Sequence, residues 1–271
     1  MENQTSYYIG IDVGTGSARA CIIDKHGDIV GSASEDIETW TPQHNHYVGH
    51  ARLSHLPNNQ CKANHRATQE QSTSNIWQCI CAAVRRALDE QKIPPTLVRG
   101  MGFDATCSLC VFSRETGEPI SVTGSSFDSD RNVILWLDHR ATSETEKINA
   151  TGHPVLRYVG GRMSVEMEMP KLLWLKNHMP AEVFARCKFY DLVDALTHIA
   201  TGVDTRSFCS MVCKQGYLPM GVEGSDKGWS EEFLQDIGLG DLCDRDFDRI
   251  GGINGKVTPD STALLLGAMT S

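Results

Sequence analysis

An α/β domain is the fold class this sequence predicts. Three observations predict it: a strand meander with two tight turns at the start, a strongly periodic helix followed by two apolar strands, and a run of helices beyond Arg140. Residues 8–13 are apolar and β-branched, residues 14–17 (GTGS) are turn chemistry, and residues 18–23 are apolar again. Residues 25–28 (KHGD) turn the chain into a third strand at 29–33. Pattern is then lost across 48–71. It returns where Ile76, Ile80, Val84, Ala87 and Leu88 mark one helical face, with Ser74 as N-cap and Pro94-Pro95 as the stop. Residues 98–104 and 109–112 read as strands, 114–119 as a turn, and 132–137 as a buried strand. Helices are expected at 142–150, at 170–177 with Pro170 in the first turn, at 192–201 stopped by Gly202, and at 230–237.

A chain of 271 residues can form one large domain or two small ones. Hydrophobic residues at 40% and charged residues at 22% are ordinary for a soluble globular protein. A formal net charge of −9 argues against a nucleic-acid partner, which calls for a basic face. No apolar run approaches the ~20 residues of a membrane span, and MENQTSYY lacks the features of a signal peptide. Ten cysteines in such a chain read as reduced thiols of the cytosol, and the expected localisation is cytoplasmic. Cys21, Cys79, Cys81, Cys209 and Cys213 sit among apolar neighbours, where Cys behaves as a small core residue.

The first turn carries the unusual chemistry. Asp12 ends an apolar strand, where a carboxylate is costly unless a cation neutralises it; Mg²⁺ beside a nucleotide's phosphates would do so. Gly14, Thr15 and Gly16 can turn N–H groups outward as an anion-binding concavity, Thr15 and Ser17 add hydroxyls, and Arg19 adds positive charge. The two commoner phosphate signatures are missing: Arg19 stands where GxGxxG needs its third glycine, and no GK[ST] occurs. The alternative is a plain hairpin turn with an incidental Asp.

YIGIDVGTGSARA (8–20) is similar to the first phosphate loop of the FGGY carbohydrate kinases. GFDATCSLCV (102–111), NVILWLDHRA (132–141), YVGGRMSVEMEMPKLLWLK (158–176) and RSFCSMVCK (206–214) resemble the pentulose kinase branch of that family. The resemblance covers residues 7–253 apart from the irregular segment. It implies an actin-like ATPase (ribonuclease H-like) fold, with a mixed sheet, a β-meander start and flanking helices. It also implies transfer of the ATP γ-phosphoryl group to a sugar hydroxyl, D-ribulose being the favoured ketopentose, with ATP and Mg²⁺ as cofactors.

A pentulose is small and covered in hydroxyls, so its site needs paired donors and acceptors and a flat apolar wall. Trp136, Asp138 and His139 offer a stacking face, an acceptor and an imidazole of either role within four residues. Trp136 and Asp138 alternate with Leu135 and Leu137, so a strand would project both from one face. Asp104 ends the neighbouring strand, where open α/β sheets meet ligands. Family resemblance adds Ala105 and Lys214 to Trp136 and Asp138 as sugar contacts. Each has a plainer alternative: a core Trp, a solvated strand end, a surface Lys. Cys107 and Cys110 make a CxxC, but no second pair follows at zinc spacing.

Two departures from the family shape the functional expectation. Residues 48–71 form an irregular insert whose His50, His55, Cys61 and His65 match no standard metal spacing; a retained non-coding segment is the expectation. The family's second domain, its adenine loops and its general base are expected beyond Ser271, leaving 7–254 as the N-terminal lobe and 255–271 as an unaligned tail. An isolated lobe is expected to turn over little, since phosphoryl transfer needs both walls of the cleft. Its exposed inter-lobe surface suits a homo-oligomer or pairing with a full-length protein. A non-catalytic sugar-binding or regulatory module is the second reading, and an actin-like chaperone ATPase the third.

Overall fold

Alternation decides the first sheet. The structure, a computed structural model, describes residues 6–41, 68–123, 130–218, 221–222, 225 and 227–253, with the backbone alone at 257–258. In β1 (Tyr7–Val13) Ile9, Ile11 and Val13 are buried while Tyr8, Gly10 and Asp12 face out. Strands β2 (Ser17–Asp24) and β3 (Ile29–Asp36) follow antiparallel, completing the expected meander. The buried face meets Ile76, Ile80 and Ala83 of helix α1 (Thr73–Glu90) and Leu192, Ala195 and Leu196 of α5 (Leu192–Thr201). Each such Ile or Leu side chain contributes ~1.5–3 kcal/mol by leaving water, which is what drives the sheet onto the helices. Strand β5 (Val98–Ala105) adds to β1 in parallel, giving the order β3-β2-β1-β5.

The second sheet runs β4-β7-β6-β8, from β4 (Glu70–Gln71), β6 (Leu109–Ser113), β7 (Val133–Ile134) and β8 (Cys187–Asp191). Its core includes Leu109, Val111, Ile134 and Phe189. These pack with Leu172 of α3 (Glu168–His178), Met211 of α6 (Phe208–Gln215) and Phe233 of α7 (Glu231–Asp236), and with Ile148 of α2 (Thr142–Ala150) at the same core. A short α4 (Ala181–Phe184) precedes β8, α8 (Asp244–Phe247) follows α7, and β9 (Arg206–Ser207) pairs in parallel with β10 (Val257–Thr258). Among the described residues no helix is long and apolar enough to cross a membrane.

The periodic helices fall where the sequence puts them: α2 and α5 match residue for residue, and Gly202 ends α5 in the left-handed conformation with φ 71°. Three expectations change. The N-cap of α1 is Ser72, whose hydroxyl accepts from Asn75 N, because the helix starts two residues earlier than Ser74 implies. The strand expected over 132–137 stops at Ile134, because residues 135–138 close a turn with Asp138 N donating to Leu135 O at 3.0 Å. Cys209 and Cys213 are exposed rather than core: one turn apart on α6, they share its outer face, although their sequence neighbours are apolar.

Residues 42–67, which include His50, His55, Cys61 and His65 and most of the segment expected to be non-coding, lie outside the described residues, as does the tail after 258. The ends of that segment are described. Trp40 N donates to Glu70 O and Glu70 N to Trp40 O, both at 2.9 Å, so the chain leaves and re-enters the fold at one backbone bridge. The irregular stretch therefore ends before Glu70, which is fully buried in β4. Because loop-closure cost changes slowly with length, the fold is expected to tolerate replacement of 42–67 by a short Gly-Ser linker. Cooperative thermal unfolding within a few degrees of the parent, followed by circular dichroism, is the expected outcome; loss of the cooperative transition would show that the segment is integral.

Candidate phosphate and sugar site

The hairpin between β1 and β2 is closed by Gly14 N donating to Ser17 O at 2.9 Å. That N–H is thus spent inside the turn, which removes Gly14 from the expected anion-binding set. Neither Gly14 nor Gly16 adopts a left-handed φ. What Gly14 supplies is space: a Cβ there would lie 2.9 Å from Nη2 of Arg19, which folds over the turn. Arg19 Nη1 pairs with Asp12 Oδ2 at 2.7 Å and its Nε donates to Ser17 Oγ at 3.2 Å. This pair is about half exposed on both sides, 56% and 51%, so it contributes at most ~1 kcal/mol and exchanges partners cheaply. A divalent cation on Asp12 and a phosphate on Arg19 would be such an exchange, and a half-exposed carboxylate at a strand end suits a hard cation. Asp104 stands in register beside Asp12 on β5, likewise exposed. Both line an open groove of about 780 Å³ over the outer face of the sheet, with Gly10, Gly102 and Ser32 as its small-residue floor.

Thr15 is held from the other sheet. Its hydroxyl accepts from Trp136 Nε1 at 3.1 Å, and its backbone oxygen accepts from Gln71 Nε2 at 2.7 Å. The second Gln71 amide proton goes to Thr39 Oγ1 at 3.0 Å. Trp136 sits half-buried in the turn after β7, with its N–H on Ser108 Oγ at 3.1 Å. Its carbonyl and that of Leu135 accept from the buried Lys171 ammonium at 3.0 and 2.7 Å. Burial lowers the Lys171 pKa from 10.5 to about 8, partly opposed by Asp138 and Glu168.

Asp138 does not project beside Trp136, because the turn breaks the strand alternation. It is fully buried, and its oxygens accept from the N–H groups of Gln69 and Arg140 and from the Arg140 guanidinium, the shortest of these at 2.7 Å. Arg140 Nη2 also reaches Glu70 Oε1 at 3.0 Å, and its guanidinium lies over the Trp174 ring at 4.9 Å. The expectation of a sugar-facing acceptor at 138 is not met here; the carboxylate is an internal counter-ion. His139 is exposed beside Glu166, 3.5 Å away.

Ala105 closes β5 in register with Val13, the residue before the GTGS turn. Lys214 is half-buried in the last turn of α6. It belongs to the neighbourhood of Cys107, whose thiol burial pushes up to about 12, with Asp191 reinforcing and Lys214 opposing. Cys110 is fully buried and pushed up for the same reason, so both CxxC thiols stay protonated. Close by lie two fully buried carboxyls, Glu168 and Asp191. Burial holds both above the ordinary range, the Glu168 charge adding to the rise at Asp191, and Gln215 Nε2 donates to Glu168 Oε2 at 2.5 Å. Sequence reading passed over Gln71, Arg140, Lys171 and this carboxyl pair. Polar side chains inside apolar-periodic segments were the available signal, as with Lys171 amid MPKLLW.

The profile of the FGGY family of carbohydrate kinases, N-terminal domain, matches residues 49–241. D-ribulokinase of Saccharomyces cerevisiae is 49% identical over 252 residues, covering 93% of this chain and 32% of that protein. The FGGY carbohydrate kinase domain-containing protein of Homo sapiens is 41% identical over 259 residues, covering 95% and 41%. A crystal structure of ligand-bound xylulose kinase from Lactobacillus acidophilus aligns with a TM-score of 0.66 at 18% identity, covering 93% and 42%. The chain thus spans 32–41% of the length of these curated relatives. The mixed sheet, meander start and flanking helices are those of the actin-like ATPase fold of sugar kinases.

Two outcomes follow from the buried charges. Arg140→Leu leaves Glu70 and Asp138 buried without their shared cation, and urea unfolding is expected to show a loss of ~3–5 kcal/mol; a loss below ~1 kcal/mol would mean that Arg140 is not their essential partner. For Lys171, the unfolded chain binds more protons than the folded one between about pH 8 and 10.5. Its burial penalty is complete below that window and shrinks as pH rises through it. Measured against Lys171→Met, the parent's unfolding free energy is expected to gain from pH 8 upward; a flat difference would contradict the assignment.

Proposed function

Because the chain belongs to the FGGY family of carbohydrate kinases, we propose that residues 7–254 are the N-terminal lobe of an ATP-dependent pentulose kinase, followed by a tail at 255–271. On this reading the γ-phosphoryl group of MgATP passes to a ketopentose hydroxyl. D-ribulose is favoured by the name of the yeast relative. The observation that carries the reading is the 3.1 Å bond between Trp136 Nε1 and Thr15 Oγ1. It puts the expected sugar wall within one hydrogen bond of the expected phosphate turn, and phosphoryl transfer requires that the two substrates meet.

Thr15, Gly16, Ser17 and Arg19 face the phosphates in this proposal. Asp12 would hold Mg²⁺, which when bound neutralises phosphate charge. Trp136 would form the apolar wall under the sugar, with Ala105, Lys214, Asp104 and His139 as the further proposed sugar contacts. Asp138 contributes from inside, by fixing the turn that presents Trp136. The nine described cysteines are all free thiols, in keeping with a reducing, cytosolic setting.

A non-catalytic sugar-binding module is the second reading. It is favoured by the engagement of Asp12 with Arg19 and of Asp138 with Arg140, which leaves neither carboxylate idle as a proton acceptor. The two readings part on ADP release by the purified chain with Mg-ATP, using D-ribulose and other pentuloses against a sugar-free blank. The expected result is a sugar-dependent rise in melting temperature with little turnover. Failure of every pentulose to raise the melting temperature would sink the sugar site itself, and brisk sugar-dependent turnover would show that these residues include a base.

A further inference from the structure

We propose that the bond between Trp136 and Thr15 is a coupling device: sugar on the Trp136 ring fixes Thr15 as a donor to the nucleotide's phosphates, and Gln71 holds the Thr15 backbone for that purpose. The inference rests on the kinase reading above. The indole N–H only donates, so Thr15 Oγ1 must be the acceptor in the 3.1 Å bond. A hydroxyl that accepts there has its own proton left to give, directed away from the indole. Thr15 is half-buried and follows Gly14, beside which the Arg19 guanidinium lies, so that proton is available to an anion held at the turn.

The rest of Thr15 is immobilised from the same side. Gln71 is fully buried and spends both amide protons across the junction of the sheets, on Thr15 O at 2.7 Å and Thr39 Oγ1 at 3.0 Å. Its Oε1 has no partner among the described residues, so those two donated bonds are what orient the amide. Gln71 and Trp136 come from one strand pair, since Gln71 lies opposite Val133 in register and Trp136 follows Ile134 by two residues. Trp136 is in turn fixed at its N–H by Ser108 and at its carbonyl by Lys171, leaving ring rotation as its main freedom. A sugar stacked on the ring removes that freedom and holds Nε1 on Thr15. By linkage, phosphate bound at Thr15 must favour sugar at Trp136 by the same factor.

Orienting one hydrogen bond of ordinary net strength makes the expected coupling roughly three- to tenfold in affinity. The test is calorimetric titration of the 271-residue chain with Mg-ATP, with and without saturating D-ribulose, for the parent and for Trp136→Phe, Thr15→Val, Thr15→Ser and Gln71→Met. Trp136→Phe keeps a ring for the sugar and loses the N–H; Thr15→Val loses the hydroxyl, and Thr15→Ser restores it. The expected result is tighter Mg-ATP binding with sugar in the parent and in Thr15→Ser. Equal Mg-ATP affinity with and without sugar is expected in Trp136→Phe and Thr15→Val, although each ligand alone still binds. Gln71→Met is expected to weaken Mg-ATP several-fold and leave D-ribulose affinity alone. Coupling that survives both Trp136→Phe and Thr15→Val overturns the inference. Independent binding in the parent overturns it too and leaves the kinase reading standing, whereas a parent that binds neither ligand removes both.

Discussion

The guanidinium of Arg140 is the fixed point on which the segment carrying Trp136 depends. It bridges Glu70 in β4 and Asp138 after β7, with both carboxylates fully buried. A buried ion pair is weak evidence for stability, since desolvation offsets most of the attraction. What it fixes is geometry. Asp138 also accepts from Gln69 N and Arg140 N, and Glu70 from Thr123 Oγ1. The charges therefore pin the last residues before β4, the turn carrying Trp136 and the loop after β6 in one arrangement. A hydrophobic trio of equal volume would fill the space without specifying the register.

The other Asp–Arg pair, Asp12 with Arg19, has the same chemistry and the opposite character. Water reaches both partners, so the attraction is screened and either charge can leave for a stronger partner. Burial thus divides the two pairs by use, one as scaffold and one as an exchangeable surface suited to a cation and an anion. The open sheet face around the second pair, floored by small residues, keeps that exchange accessible.

The candidate site lies at the seam between two sheets that share one core on this side, Cys110, Phe112, Val133 and Tyr190 of the second sheet clustering with Ile9, Ile11 and Val13 of the first. Three polar groups cross the seam at Thr15 and Thr39: the Trp136 indole and the two protons of the Gln71 amide. Directional bonds suit this place better than apolar contacts, because apolar packing tolerates sliding and a hydrogen bond fails over a fraction of an ångström. The GTGS turn built on one sheet is in this way referenced to the Trp136 turn that follows the other.

Much of this was legible in the chain itself. Alternation in β1 to β3 and the helical period in α1, α2 and α5 fixed those elements, because local burial patterns depend only on which residues are apolar. The GTGS turn and WLDHR lie within one hydrogen bond of each other, through Thr15 and Trp136. Tertiary structure decided what those residues do. Asp138 turned inward because the chain bends at Trp136, and no strand-based pattern foresees a turn that long-range charges hold in place. Gly14 lost its anion role to a bond inside the turn. Gln71, a neutral side chain in a strand of two residues, has no local signature at all: its purpose exists only once Thr15, distant in sequence, is brought to it. Sequence by itself determined the strands, helices and chemical inventory. Which polar groups face a ligand and which hold the frame was settled by packing, because burial and partnership are properties of the folded chain.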